Sequence, residues 1–213
     1  HSWLPALQHI CKLEHIKLYT YSIPNCEWEI FSSRKESDDT CYLQKDALYK
    51  VQLLKPDIII WSQWLKDPTI NINIMKEYFH FLKNITSNII WLQNNWIRPN
   101  KLVDPIEYCV NNNLKKKYFL INQNKQLPSN IFYDEKYFKK QLHRLNLETV
   151  IAKELNINII DMTDMFSYND TFPIIINNIP VYRIESHISY NYVMHILPIL
   201  KQRLNLSQYK INK

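Results

Sequence analysis

The sequence predicts an α/β protein with a mostly parallel sheet covered by helices on both faces, and three observations carry that prediction. Short apolar, β-branched runs alternate with helical periodicities along the 213 residues. Two of the runs, DIIIW at 57–61 and NIIWL at 88–92, are continuous rather than alternating, as strands buried on both faces are. The segments between runs are long enough for the crossover helices that parallel pairing requires.

In chain order, a helix is expected from Leu4 to Leu13, entered through Pro5, with Leu4, Leu7, Ile10 and Cys11 on one face. Ile16 to Ser22 (IKLYTYS) alternates like a strand. A polar loop bracketed by Cys26 and Cys41 comes after it, then a helix from Tyr42 to Leu54, closed by Pro56. Asp57 to Trp64 reads as a buried strand, Asn73 to Leu82 as a helix and Asn88 to Gln93 as a second buried strand. An Asn- and Lys-rich stretch with a weak strand at Lys117 to Ile121 comes next. Glu135 to Leu155 is expected to be helical and Ile157 to Met162 a short strand. Asn177-Asn178 then punctuates two β-branched runs before a final helix from Ser189 to Leu204. With no internal repeat and no shift in composition, one domain over residues 1–213 is expected.

Hydrophobic residues make up 46% of the chain and charged residues 22%, which supports a packed core and argues against wholesale disorder. No apolar run is long enough to span a bilayer. The net charge is +6, but the basic residues are scattered, and the one tight run is Lys115-Lys116-Lys117. Without a clustered basic face no nucleic-acid partner is expected, whereas anionic cell-surface polymers fit the charge equally well. Glycine is absent altogether. That excludes every glycine-rich phosphate loop, so no nucleotide cofactor is expected. It also hands turns with positive φ to Asn and Asp. The four cysteines have no C-x-x-C spacing, and the histidines lack ligand spacing, so no metal is expected. Cys26 and Cys41 fit a loop-closing disulfide or two free thiols equally well.

His187 lies after a strand-like run and precedes a helix, where open α/β sheets collect functional loops. Imidazole titrates near neutrality and suits a general base, provided a partner holds its other nitrogen. Glu185 is the nearest carboxylate. At the other end of the chain, HSWLPAL (1–7) resembles the stretch directly after the nucleophile in SGNH (GDSL-like) hydrolases, specifically those attached to type 3 membrane acyltransferases. In that family the motif reads Gly-Asp-Ser-His, with a proline shortly afterwards at a helix start. His1 then stands directly after the serine and Pro5 is the helix-starting proline. The first residue is not Met, and the resemblance puts the nucleophile one residue upstream, so a longer protein is expected. SIPNC (22–26), Cys41, KPDIIIWSQW (55–64), DPIEYC (104–109) and IPVYRIESHIS (179–189) resemble further family blocks in the same order.

The resemblance implies a three-layer, flavodoxin-like fold whose first strand, central in the sheet, precedes His1. The strands at 16–22 and 57–64 would then flank an unfilled position. It implies an extracytoplasmic serine O-acyltransferase, acetyl being the expected group, that modifies a cell-envelope polysaccharide or peptidoglycan. His187 would be the general base, and the acyl donor would arrive through an attached membrane domain. Ser22, through its backbone N–H, and Gln63, through its amide, are the positional candidates for oxyanion donors. A stand-alone serine esterase and a degenerate, non-catalytic glycan-binding domain remain alternatives. Two departures bear on these. Ile184 stands where the family has its orienting aspartate, leaving Glu185 or a backbone carbonyl for that role. The cysteine pair before the last hairpin is also missing, with Phe166 and Phe172 near its place.

Overall fold

A computed structural model describes residues 3–21, 39–62, 72–93, 135–166, 175–177, 179–182 and 188–209. The fold is mixed α/β, built on a parallel sheet, as expected. The weak strand expected at 117–121 and the cysteines at 26 and 109 lie outside the described residues.

The chain forms two compact units. One comprises 11–94, 143–160 and 204–213 and carries the sheet. Strands β1 (Ile59–Trp61), β2 (Ile89–Leu92) and β3 (Asn158–Ile160) run parallel in that order. The register pairs Ile60 with Ile90 and Trp91 with Ile159. All four β2 residues are buried, so the continuous apolar run is explained by burial on both faces.

Helix α1 (Leu4–Leu13) has the expected bounds, but its buried residues are Trp3, Ala6, Ile10 and Cys11, while Leu4 and Leu7 are only half-buried. The seam is therefore turned toward Trp3 and Ala6, a small residue that lets the helix approach closely. Burial raises the Cys11 thiol pKa, making it an apolar filler rather than a reactive group.

Helix α2 spans Asp39–Leu54 and helix α3 Ile72–Lys83. Helix α4 covers Glu135–Glu154. Met75, Tyr78, Phe79 and Leu82 form one stripe of α3 at helical spacing and are all buried. They pack with Ile151, Ala152 and Leu155 and with Ile89, Trp91, Ile59 and Trp61 from one face of the sheet. Phe79 and Trp91 lie with ring centroids 4.7 Å apart. Lys83 Nζ donates to the Leu155 carbonyl at 2.7 Å, and Lys76 pairs with Glu154 at 2.5 Å, so polar contacts tie α3 to the end of α4. Trp61 and Trp91 are thus core packing, as expected from their place on strands.

Three helices stop on residues with left-handed φ, none of them glycine: His15 (φ 56°), Lys55 (φ 46°) and Asn156 (φ 50°). After α1 the Ile16 N–H reaches the Cys11 carbonyl at 2.8 Å, and after α4 the Ile157 N–H reaches Ala152 at 2.8 Å. These are the six-to-one closures that glycine ordinarily allows. Asn177 and Asn205 are also left-handed, so Asn fills three of the five described positions, as its tolerance predicts. His15 and Lys55 are not anticipated by residue type; each is fixed by the hydrogen bonds and chain direction around it.

The segment at 16–21 is a correction. It shows half-buried Ile16 and Leu18 beside exposed Lys17 and Tyr19, an alternation that stops at exposed Thr20, and it has no strand ladder among the described residues. Alternation sets where side chains point; a strand also needs a neighbouring backbone to bond.

The second unit comprises 1–10, 95–142 and 161–203. Its described parts include helix α5 (Thr163–Phe166), a hairpin of β4 (Ile175–Ile176) and β5 (Ile179–Pro180), and helices α6 (Tyr190–His195) and α7 (Leu197–Leu204), of which Leu204 falls in the first unit. The final helix predicted over 189–204 is thus two helices, broken at Ile196. Pro198 lacks the N–H that would continue the ladder from Met194, and its ring disfavours an unbroken turn there.

Asp161 starts α5 by accepting from the Thr163 N–H at 2.8 Å and hydroxyl at 2.6 Å. Arg203 then grips α5, donating to the Asp161 carbonyl at 2.6 Å and to both Asp164 oxygens at 2.7 and 2.5 Å. The hydrogen bond from Arg203 depresses the Asp164 pKa, against a smaller opposing effect of burial. A depressed folded-state pKa contributes stability that is present above the unfolded value of about 3.9 and lost as pH falls through the folded one. Asp164→Asn should therefore lower the melting temperature slightly at pH 7, and the gap to the parent should close below about pH 4. Because the pair is largely exposed, its worth is below about 1 kcal/mol.

Candidate functional site

The five residues singled out from the sequence, His1, Ser22, Gln63, Glu185 and His187, all lie outside the described residues. The scaffold on either side of the Glu185–His187 segment is described, and it can be built residue by residue.

That segment leaves β5 through Val181 and Tyr182 and re-enters at Ile188. Tyr182 and Ile188 form an antiparallel bridge, and the Ser189 N–H donates to the Val181 carbonyl at 2.8 Å. The two ends of the histidine-bearing segment are thus fastened across a narrow neck. Ser189 does three jobs there. Its backbone closes the neck, its hydroxyl donates to the Pro180 carbonyl, and the same oxygen accepts from the Tyr192 N–H at 3.1 Å as the N-cap of α6. Ser189→Ala should cost about 1 kcal/mol, the usual worth of an N-cap, measurable by urea denaturation.

Behind the neck lies an aromatic cluster. Phe166 is at its centre, edge-on to Trp3 at 5.9 Å and to Tyr192 at 5.6 Å, and stacked against Tyr182 at 6.5 Å. All four rings are buried. Tyr192 also donates its hydroxyl to the Met165 carbonyl, and burial, with Asp164 nearby, pushes its pKa up to about 12. It therefore stays a neutral donor throughout the physiological range. Trp3 is two residues from His1, and Tyr182 closes the neck around Glu185 and His187. The two ends of the chain marked by the sequence are therefore tied to one cluster.

A buried polar pair is absent from the expectations drawn from the sequence. Gln93, at the carboxyl end of β2, donates through Nε2 to Glu148 Oε2 at 3.2 Å and to the Leu145 carbonyl at 3.3 Å. Its N–H continues the ladder to the Ile160 carbonyl at 3.0 Å. Both residues are 1% exposed. A signal for the glutamate exists: Glu148 precedes Ile151, Ala152 and Leu155 at helical spacing, so it falls on the apolar stripe of α4. The arrangement anchors α4 to the strand end. Among the described residues, no group of three His, Cys, Asp or Glu could hold a metal ion. No helix there is long and apolar enough to cross a membrane.

A parallel sheet with helices packed on it defines an α/β protein of the parallel-sheet class. A solved structure shares this fold: the periplasmic domain of a lipopolysaccharide acetyltransferase from Salmonella ser. Paratyphi A. It aligns with a TM-score of 0.61 at 10% identity, over 93% of this chain and 78% of that one. At that identity the likeness is one of fold. No protein-family model matches the chain, and no curated protein does.

Proposed function

We propose that this chain is the SGNH-type domain of a cell-envelope O-acyltransferase that moves an acyl group, acetyl first among them, onto a polysaccharide or peptidoglycan hydroxyl. The observation that carries the reading is the cluster of Trp3, Phe166, Tyr182 and Tyr192. It fastens the segment beside His1 and the neck around His187 to one hydrophobic core. The fold likeness to the acetyltransferase domain supports it.

In this reading His187 accepts the proton of the serine that the resemblance puts directly before His1. The serine oxygen attacks the donor's acyl carbonyl, and the leaving group departs with the proton from His187. A sugar hydroxyl then attacks the acyl-enzyme, His187 takes its proton, and the serine is restored when that proton returns to it. Glu185 holds the imidazole, while the Ser22 N–H and the Gln63 amide stabilise the tetrahedral oxyanion. The single domain lies on the extracytoplasmic side, and an attached membrane domain supplies the donor.

The test is labelling of the longer polypeptide with a serine-reactive fluorophosphonate and mapping of the modified peptide. Label on the serine preceding His1 supports the reading. A chain with no labelled serine overturns it in favour of a non-catalytic glycan-binding domain. Labelling with release of the acyl group to water, and none to a glycan, makes the protein an esterase.

A further inference from the structure

The segment at 16–21 has no ladder among the described residues, and three of its exposed side chains are of related use. Lys17, Tyr19, Thr20 and Tyr21 are exposed, the two tyrosines to 49% and 45%, while Ile16 and Leu18 are half-buried. The Lys17 ammonium lies 4.9 Å from the centroid of the Tyr19 ring, a cation–π contact that steadies the ring while leaving the charge at the surface. Lys12 and His15, just before the segment, are exposed as well. On α2, Tyr49 is exposed beside Lys50, whose ammonium feels the Tyr21 phenol electrostatically after its main partner Asp46.

Two exposed tyrosines near one another in the chain suit the flat, C–H-bearing faces of sugar rings, which stack on aromatic faces. Lys17 beside them suits a carboxylate or phosphate group on the same polymer. The charge argues for an anionic polymer over a neutral one: the chain carries +6, and Lys12 and Lys17 are exposed along this stretch. A nucleic acid would ask for a clustered basic face, which the sequence lacks. We infer that Lys17, Tyr19 and Tyr21 form a docking strip for an anionic polysaccharide. It deepens the acyltransferase reading, on which it rests for the origin of the polymer, by naming the chemistry of the acceptor.

The test is affinity electrophoresis of the full chain through gels containing polygalacturonate or, as the neutral control, dextran. The parent should be retarded by polygalacturonate and not by dextran. Tyr19→Ala/Tyr21→Ala should weaken retention by roughly tenfold, as the loss of two stacking rings implies, whereas Tyr19→Phe/Tyr21→Phe should keep most of it. Lys17→Ala should weaken polygalacturonate retention, while Lys153→Ala, an equal charge change at an exposed position of α4, should not. Equal losses in Lys17→Ala and Lys153→Ala would reduce the effect to net charge and overturn the proposal, as would full retention by the double alanine variant. Thermal melts of each variant separate loss of binding from loss of folding. Fluorophosphonate labelling is scored independently, so retention without labelling sinks the transferase reading and leaves the strip standing. Labelling without retention does the reverse.

Discussion

His187→Ala is expected to lower both fluorophosphonate labelling and acyl transfer by about 10³-fold in the longer polypeptide, with the melting temperature nearly unchanged. The size comes from the role. A serine hydroxyl at neutral pH is a poor nucleophile, and a positioned imidazole supplies the proton transfer that makes it a good one. Stability should hold because the neck is closed by Tyr182, Ile188 and Ser189, none of which changes. Glu185→Gln gives the complementary result. If the carboxylate orients the imidazole, transfer falls by about 10- to 100-fold while substrate affinity stays. If a backbone carbonyl does so, Glu185→Gln is silent. An unchanged turnover in His187→Ala sinks the base assignment outright.

Phe166→Ala carries the largest expected effect on folding. The ring is 3% exposed and touches Trp3, Tyr182 and Tyr192, so its loss removes transfer energy and leaves a cavity between rings that cannot all collapse inward. The cost should be about 3–5 kcal/mol in urea denaturation, against less than about 2 kcal/mol for Phe166→Leu, which refills most of the volume. The pair of variants also tests the site. In Phe166→Leu, well below its melting temperature, labelling should fall several-fold, since the cluster fastens both marked ends of the chain. Labelling equal to the parent would mean that the cluster stabilises this unit without positioning the chemistry.

The elements legible in the sequence are those whose signal is local. The stripe Met75, Tyr78, Phe79 and Leu82 announces α3 within a residue at each end, and the continuous runs at 57–61 and 88–92 announce β1 and β2. Boundaries set by one residue's chemistry are also legible, as with Pro56 after α2 and Asn177 in the β4–β5 turn. The expectations that fail share a cause. IKLYTYS has a strand's alternation, but pairing depends on a neighbour that no local pattern encodes. Helix periodicity continues through Ile196, while Pro198 decides the break. In the sequence Ser189 marks the start of the last helix; its place as a tether emerges once Pro180 and Tyr192 converge on it. The same holds for Phe166, an ordinary residue in TDMF until three distant rings meet around it. The Gln93–Glu148 pair is half legible, since helical spacing buries the glutamate but says nothing of its partner.

The glycine-free helix ends have an energetic consequence in the unfolded ensemble. Every residue of this chain carries a Cβ and none has glycine's freedom in φ, so the denatured polypeptide samples fewer backbone states than one with average glycine content. Less entropy is then surrendered on folding. That gain is set against the cost of holding His15, Lys55 and Asn156 in the left-handed region, about 1–2 kcal/mol each for a residue with a Cβ and less for Asn. Introducing glycine at one of these ends relaxes the native backbone and loosens the denatured one at the same time. The two changes oppose each other, and the net effect of such a substitution measures which state of the chain the absent glycine has favoured.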